Sequence, residues 1–235
     1  MSTPGVDIRR ANQRFHTRTD WLDSWHCFSF ADHYDPQNLN HGLLRVLNDD
    51  VIAPGRGFGP HPHRDMEIVT WVLEGALAHE DSAGHRGVIR PGDAQRMSAG
   101  RGIVHSEVNA SATEPVRLVQ MWVLPAQQGI APGYEQKALG DRFEAGGLVV
   151  VASGQGHPGA VRLHQPGAVL RVGRLQDGES AALPDAPHVH VYLAKGGAQL
   201  AGQTLGPGDA ARLTRAGKLD LVSRGASEVL VWETA

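Results

Sequence analysis

Trp71-Val72-Leu73-Glu74-Gly75, then Pro91-Gly92-Asp93-Ala94-Gln95-Arg96-Met97 and Ala99-Gly100, is one of two copies of a pattern. The other copy reads Tyr192-Leu193-Ala194-Lys195-Gly196, Pro207-Gly208-Asp209-Ala210-Ala211-Arg212-Leu213 and Ala216-Gly217. Each runs from an apolar strand into a glycine turn, then to a Pro-Gly-Asp turn, a second strand and Ala-Gly. Repetition in this order predicts two copies of one β unit. Elsewhere, short runs rich in β-branched residues alternate with turn residues. Ile68–Leu73, Val88–Arg90, Val116–Leu124 and Leu148–Val151 are each followed by Gly, Pro or Asp. Such runs read as strands of a sandwich or barrel, and no capped 3.6-residue period competes with them. The expected fold is all-β. Its one expected helix is short, in the polar stretch around Pro132 to Leu139. Alternation stops at Pro125–Gly133, a candidate linker. This places an N-terminal domain at residues 1–128 and a C-terminal one at 129–235.

Composition narrows the function classes. The 235 residues carry 22 Lys+Arg against 25 Asp+Glu, for a formal charge of −3. No basic run is present, so general nucleic-acid affinity is not expected. The longest apolar stretch, Leu148–Ala152, is far short of the ~20 residues of a membrane helix. Met1–Arg18 is polar and charged, unlike a secretory leader. The single cysteine, Cys27, forms no internal disulfide and suits a reducing cytoplasm; it lies in an apolar run and reads as packing.

The chemistry-bearing residues gather in the first half. His61-Pro62-His63 puts two imidazoles on one face of a strand, and His105-Ser106-Glu107 does the same for an imidazole and a carboxylate. An isolated His-x-His is ordinarily a polar strand edge. Here both pairs adjoin glycine-rich turns, Gly55–Gly59 and Ala99–Gly102. If the two strands face each other in a barrel, His61, His63, His105 and Glu107 converge as a donor set suited to a first-row transition metal. Glu67 shares the parity of His63, and spacing alone leaves it open as a ligand. Its other readings are support of a ligand histidine or pairing with Arg64 or Arg101. His79 and His85, among Glu80 and Asp81, read as a solvated hairpin. His157 and His164 lack ligand spacing. Met121 and Trp122 have two readings, pocket lining and core packing, of which core packing is favoured. His188-Val189-His190 reads as a polar strand end. Counting from the repeat glycines, the places of the four ligands fall in the second half on Ala182, Pro184, Val222 and Arg224, so one ion per chain is expected.

Gly55, five residues, His61-x-His63, three residues, Glu67 is similar to the first motif of the cupin superfamily. The wider text resembles the pirin family and its bacterial quercetinase branch. It includes Trp21–Phe30, His33-Tyr34-Asp35-Pro36, Leu44–Asp50, His61–Glu67, Ala78–Ser82 and Met97–Glu107. The resemblance is dense over residues 6–125 and thin beyond. It implies a bicupin of two double-stranded β-helix barrels. It also implies that Glu107, rather than Glu67, completes the ligand set with His61, His63 and His105. The implied ion is divalent: iron first, with nickel, cobalt, manganese, copper or zinc as alternatives. The implied reaction is dioxygenase cleavage of a flavonol such as quercetin. The 3-hydroxyl loses its proton, dioxygen adds to the ring, the ring opens, and carbon monoxide leaves. Glu107 is then the base. The expected partners are a small aromatic or flavonoid substrate and O2, and the expected state is a monomer. Two other classes compete: a non-catalytic metal-binding regulator that acts through protein partners, and another cupin activity such as a sugar isomerase or a metal-assisted hydrolase.

Overall fold

The computed structural model describes residues 5–235; residues 1–4, where the expected N-terminal domain and the polar opening stretch begin, lie outside the described part. In chain order, the first strands are β1 (Val6–Arg9), β2 (Phe15–Arg18), β3 (Leu22–His26), β4 (Leu44–Ile52), β5 (Gly57–His63) and β6 (Glu67–Glu74). They are followed by β7 (Leu77–Asp81), β8 (Arg86–Ile89), β9 (Asp93–Ser98), β10 (Ile103–Asn109), β11 (Val116–Val123) and β12 (Gly133–Ala138). The rest are β13 (Leu148–Ser153), β14 (Val161–Arg162), β15 (Ala168–Leu175), β16 (Ser180–Ala182), β17 (His188–Leu200), β18 (Gln203–Leu205), β19 (Ala210–Thr214) and β20 (Asp220–Thr234). Two short 3-10 turns, Ala11–Gln13 and Gly140–Ala145, are the helical elements among the described residues, and no helix is long and apolar enough to cross a membrane.

The fold is a bicupin, and the sequence repeat is visible in its sheets. The first half has a large sheet in the order β12-β9-β6-β11-β4-β3-β2 and a small one, β5-β10-β7-β8. In the second half the large sheet runs β1-β19-β17-β20-β15-β13-β14. The order β9-β6-β11-β4-β3 therefore matches β19-β17-β20-β15-β13. The repeat glycines Gly75 and Gly196 sit at φ 78° and 74°. A Cβ there would lie 2.7 Å from the Pro115 carbonyl oxygen and 2.1 Å from that of Ala226. Each position needs glycine for the same reason, a left-handed turn pressed against the next strand.

Two strands cross the expected division at 128/129. β12 closes the edge of the first large sheet on β9, and β1 closes the edge of the second on β19. The expected helix around Pro132–Leu139 is thus an edge strand. Its side chains are polar on both faces because it runs along the seam between the halves. Glu135 accepts the backbone N–H of Arg162, and Lys137 donates to the Ala160 carbonyl.

The two large sheets also share one core. Trp71, Val119, Met121 and Leu47 pack in a single buried cluster with Val151, Leu170, Tyr192, Leu230 and Trp232. The Trp71 indole N–H donates to Glu228 Oε1 at 2.8 Å, so its one polar atom is satisfied inside that core. Cys27 and Met121 are buried there, as their apolar neighbours imply.

Candidate metal centre

β10 fixes half of the site by alternation. Ile103, His105, Glu107 and Asn109 are buried, while Val104 is exposed. Period-two geometry therefore turns His105 and Glu107 to the barrel interior together. β5 is the antiparallel neighbour, with His105 opposite His61. A register shift follows between His105 and Glu107, so that Glu107 faces Phe58. At Gly57 a Cβ would lie 2.2 Å from the Glu107 carbonyl oxygen, so this close pairing requires glycine.

The imidazoles of His61, His63 and His105 meet. Their ring centroids are 4.4 Å (His61–His105), 4.8 Å (His61–His63) and 4.9 Å (His63–His105) apart. Their donor atoms all lie within 4.8 Å of one another. Glu107 is in a neighbouring group with His105 and His79 under the same limit. The structure thus brings three sequence-selected residues into one cluster and sets the fourth beside His105.

Hydrogen bonds leave the right nitrogens free. His61 Nδ1–H donates to the Gly59 carbonyl at 2.8 Å, which leaves Nε2 as the lone pair. His105 Nε2 is buried with no protein partner. Its Nδ1 faces His79 Nδ1 at 3.4 Å, and His79 Nε2 faces Asp81 Oδ2, also at 3.4 Å. Asp81 is anchored by the backbone N–H groups of Ala83 and His85. This assigns the tautomers in order: His79 Nε2–H to Asp81, His105 Nδ1–H to His79, and a lone pair on His105 Nε2. A buried imidazole nitrogen with no partner is costly, and a cation would satisfy it. Burial, reinforced by the neighbouring imidazoles, pushes His63 down to about 4 and His105 to about 3. Both rings are neutral at pH 7, as metal ligands must be. Three imidazoles beside a carboxyl group fit a divalent first-row ion.

Glu107 is 3% exposed. Burial pushes its carboxyl up to about 7, against the pull of the Gln120 amide. Gln120 Nε2 donates to Glu107 Oε2 at 2.6 Å, and Trp122 Nε1–H donates to Gln120 Oε1 at 3.1 Å. A cavity of about 260 Å³ opens in front of these groups. Leu22, Phe30, Phe58 and Trp122 form its apolar walls, and Ser24, Asn48 and Asp50 form a polar patch. Asp50, likewise raised to about 7 by burial, accepts from the Ser24 hydroxyl.

The family model described as Pirin matches residues 7–123, and that of the quercetinase C-terminal cupin domain matches residues 150–234. The chain belongs to the pirin family. It is 55% identical over 98% of its length to a putative quercetin 2,3-dioxygenase, Rv0181c of Mycobacterium tuberculosis, covering 96% of that protein. The quercetin 2,3-dioxygenase of Escherichia coli is 41% identical, with 97% and 98% of the two chains covered. Among solved structures, the E. coli bacterial pirin YhhW in complex with nickel(II) superposes with a TM-score of 0.90 at 38% identity, over 97% and 98% of the chains.

Several sequence readings are corrected in this pirin. Glu67 pairs with neither Arg64 nor Arg101 and stands apart from the histidine cluster. It is buried on the large sheet, where Oε2 accepts the backbone N–H of His164 at 3.0 Å and ties the halves together. His79 is not solvated: the hairpin is real, but its inward positions carry Leu77, His79 and Asp81. Trp122 lines the cavity, its ring 4.9 Å from that of His63. His190 is fully buried rather than a polar strand end. In the second half, β16 and the start of β20 take the places of β5 and β10. There Ser180 stands opposite Val222, where the first half has His61 opposite His105.

Sequence reasoning missed Gln120, His79 and Asp81. His79 and Asp81 share one face of β7, and cross-strand pairing with β10, which sets them opposite Glu107 and His105, is what brings them to the site. Replacing His79 by Ala is expected to weaken metal binding ~10–100-fold, the usual cost of losing such a support, with β7 still paired. Competition with a chromogenic chelator measures it; unchanged affinity would show that the Asp81–His79–His105 chain does not orient the ligand.

The metal-free protein should also lose stability on mild acidification. His41, His63 and His105 sit at about 4, 4 and 3, so below pH 6.5 their unfolded forms take up protons that the folded forms refuse. Asp50 and Glu107, at about 7, act in the opposite sense. His26, His79 and His190 are held low by burial as well, so the imidazoles outnumber the two carboxyls and stability falls by ~1 kcal/mol or more per pH unit between about pH 6.5 and 4.5. Urea unfolding at several pH values reads this slope, and a rise in stability over that window would contradict it.

Proposed function

We propose that this pirin is a metal-dependent dioxygenase that cleaves a flavonol such as quercetin with O2, releasing carbon monoxide. His61, His63, His105 and Glu107 hold one divalent ion, iron first among the candidates. One observation carries the reading: His61 and His63, clustered with His105 and its orphaned buried nitrogen, line an aromatic-walled cavity together with Glu107, whose carboxyl is raised to about 7. The names of the E. coli and mycobacterial relatives support the same reaction class.

When bound, the metal supplies Lewis acidity and a template for substrate and oxygen. The protein's own groups do the rest. Phe30, Phe58 and Trp122 offer flat apolar faces to the planar rings of a flavonol and displace water from them. Glu107 accepts the 3-hydroxyl proton; burial alone raises its carboxyl, which beside a bound cation stays ionised and able to take that proton. Gln120, itself fixed by Trp122, keeps that carboxylate from turning away.

In domain terms, residues 1–128 carry the site and residues 129–235 form a ligand-free cupin, with β1 and β12 exchanged across the seam. A reducing, cytoplasmic setting is proposed from the buried free Cys27. Elemental analysis of protein purified without chelator tests the reading together with flavonol turnover in air. One ion per chain with turnover is expected. Two ions per chain would overturn the single-site assignment. A full metal load with no flavonol consumption would favour the non-catalytic regulator.

A further inference from the structure

We propose that the seam between the two halves holds a second site, for one small monovalent anion of halide size. It lies away from the metal centre, in a pocket of about 20 Å³, room for a single water-sized guest. Arg9, Arg10, Arg14 and Arg212 line it, and no carboxylate does.

The charges there are unevenly matched. Arg9 pairs with Asp7 and Arg10 with Asp209, each at 2.8 Å. Arg14 and Arg212 form no ion pair among the described residues. Arg14 donates to the Tyr192 hydroxyl at 2.9 Å and to the Ala11 carbonyl at 3.2 Å. Arg212 donates to the Cys27 carbonyl and to Asn38 Oδ1, and its guanidinium stacks over Phe28. All of these partners are neutral.

Two buried side chains on the pocket wall also have donors with nothing to meet. Arg212 is 7% exposed and its Nε has no partner; His190 is 1% exposed and neither ring nitrogen has one. Buried donors are nearly always satisfied, by protein or by a guest. A water would answer the hydrogen bonds but not the charge of Arg212, buried without an ion pair, nor that of half-buried Arg14 beside it. An anion answers both. Gly208 completes the cradle: a Cβ there would lie 2.4 Å from Arg14 Nη2 and would push that guanidinium out of place.

Bromide is the probe, because it reports its own position. In crystals grown in bromide, one anomalous peak is expected between Arg14, Arg212 and His190. In solution, raising chloride at constant ionic strength against gluconate should raise the melting midpoint saturably, by about 3–5 °C at ten times Kd. Arg14→Gln keeps a side-chain donor but removes the charge, and should abolish both the peak and the shift. Arg212→Gln should do the same if it folds; Arg14→Gln decides the matter if it does not. No peak at the seam, equal midpoints in chloride and gluconate, or a shift that survives Arg14→Gln would each overturn the site, leaving a buried water or an adventitious ion only.

Discussion

Glu107→Gln is expected to keep bound metal and to lose flavonol turnover by ~10²-fold or more, the scale of a removed general base. The glutamine has nearly the same shape, so the buried position stays filled, and the platform of His61, His63 and His105 is untouched. What disappears is the ability to take a proton. Gln120 now faces an amide instead of a carboxylate, and its 2.6 Å bond to Oε2 becomes a neutral one. Metal content must be measured on the same preparation. A metal-loaded Glu107→Gln that turns over quercetin at the parent rate would show that Glu107 is not the base.

His63→Ala is expected to do the opposite: metal and activity fall together. His63 is one of three imidazoles in mutual contact, and its removal leaves two. Loss of a ligand should cost more than the ~10–100-fold expected for His79, which acts only through His105. Elemental analysis and turnover on one sample check this. Retention of a full metal load would remove His63 from the ligand set.

Much of this was legible in the chain because strands write their geometry with period two. His61-x-His63 and His105-x-Glu107 announce their shared faces directly, and the Gly75/Gly196 turns recur at the same structural place. Glu67 shows where parity fails. It shares the parity of His63, but the chain turns sharply between them, with Asp65 at φ 49°. β5 lies in the small sheet and β6 in the large one, so equal parity no longer means a common face. His79 was hidden for another reason. Its neighbours Glu80 and Asp81 read as a solvated turn, yet Asp81 is itself buried and hydrogen-bonded within the loop. The strand at Gly133–Ala138 escaped notice because an edge strand along a domain seam needs no apolar face. Exchange of β1 and β12 between the halves is a matter of tertiary pairing, and no local pattern carries it.

Carbon monoxide released from quercetin in air, measured against flavonol consumed, is the most direct test. Protein carrying one divalent ion per chain should release one equivalent of carbon monoxide per flavonol cleaved, and chelator-stripped protein should release none until metal is returned. Absence of carbon monoxide from fully loaded protein, with iron, nickel, cobalt, manganese and copper each tried in turn, would contradict the account.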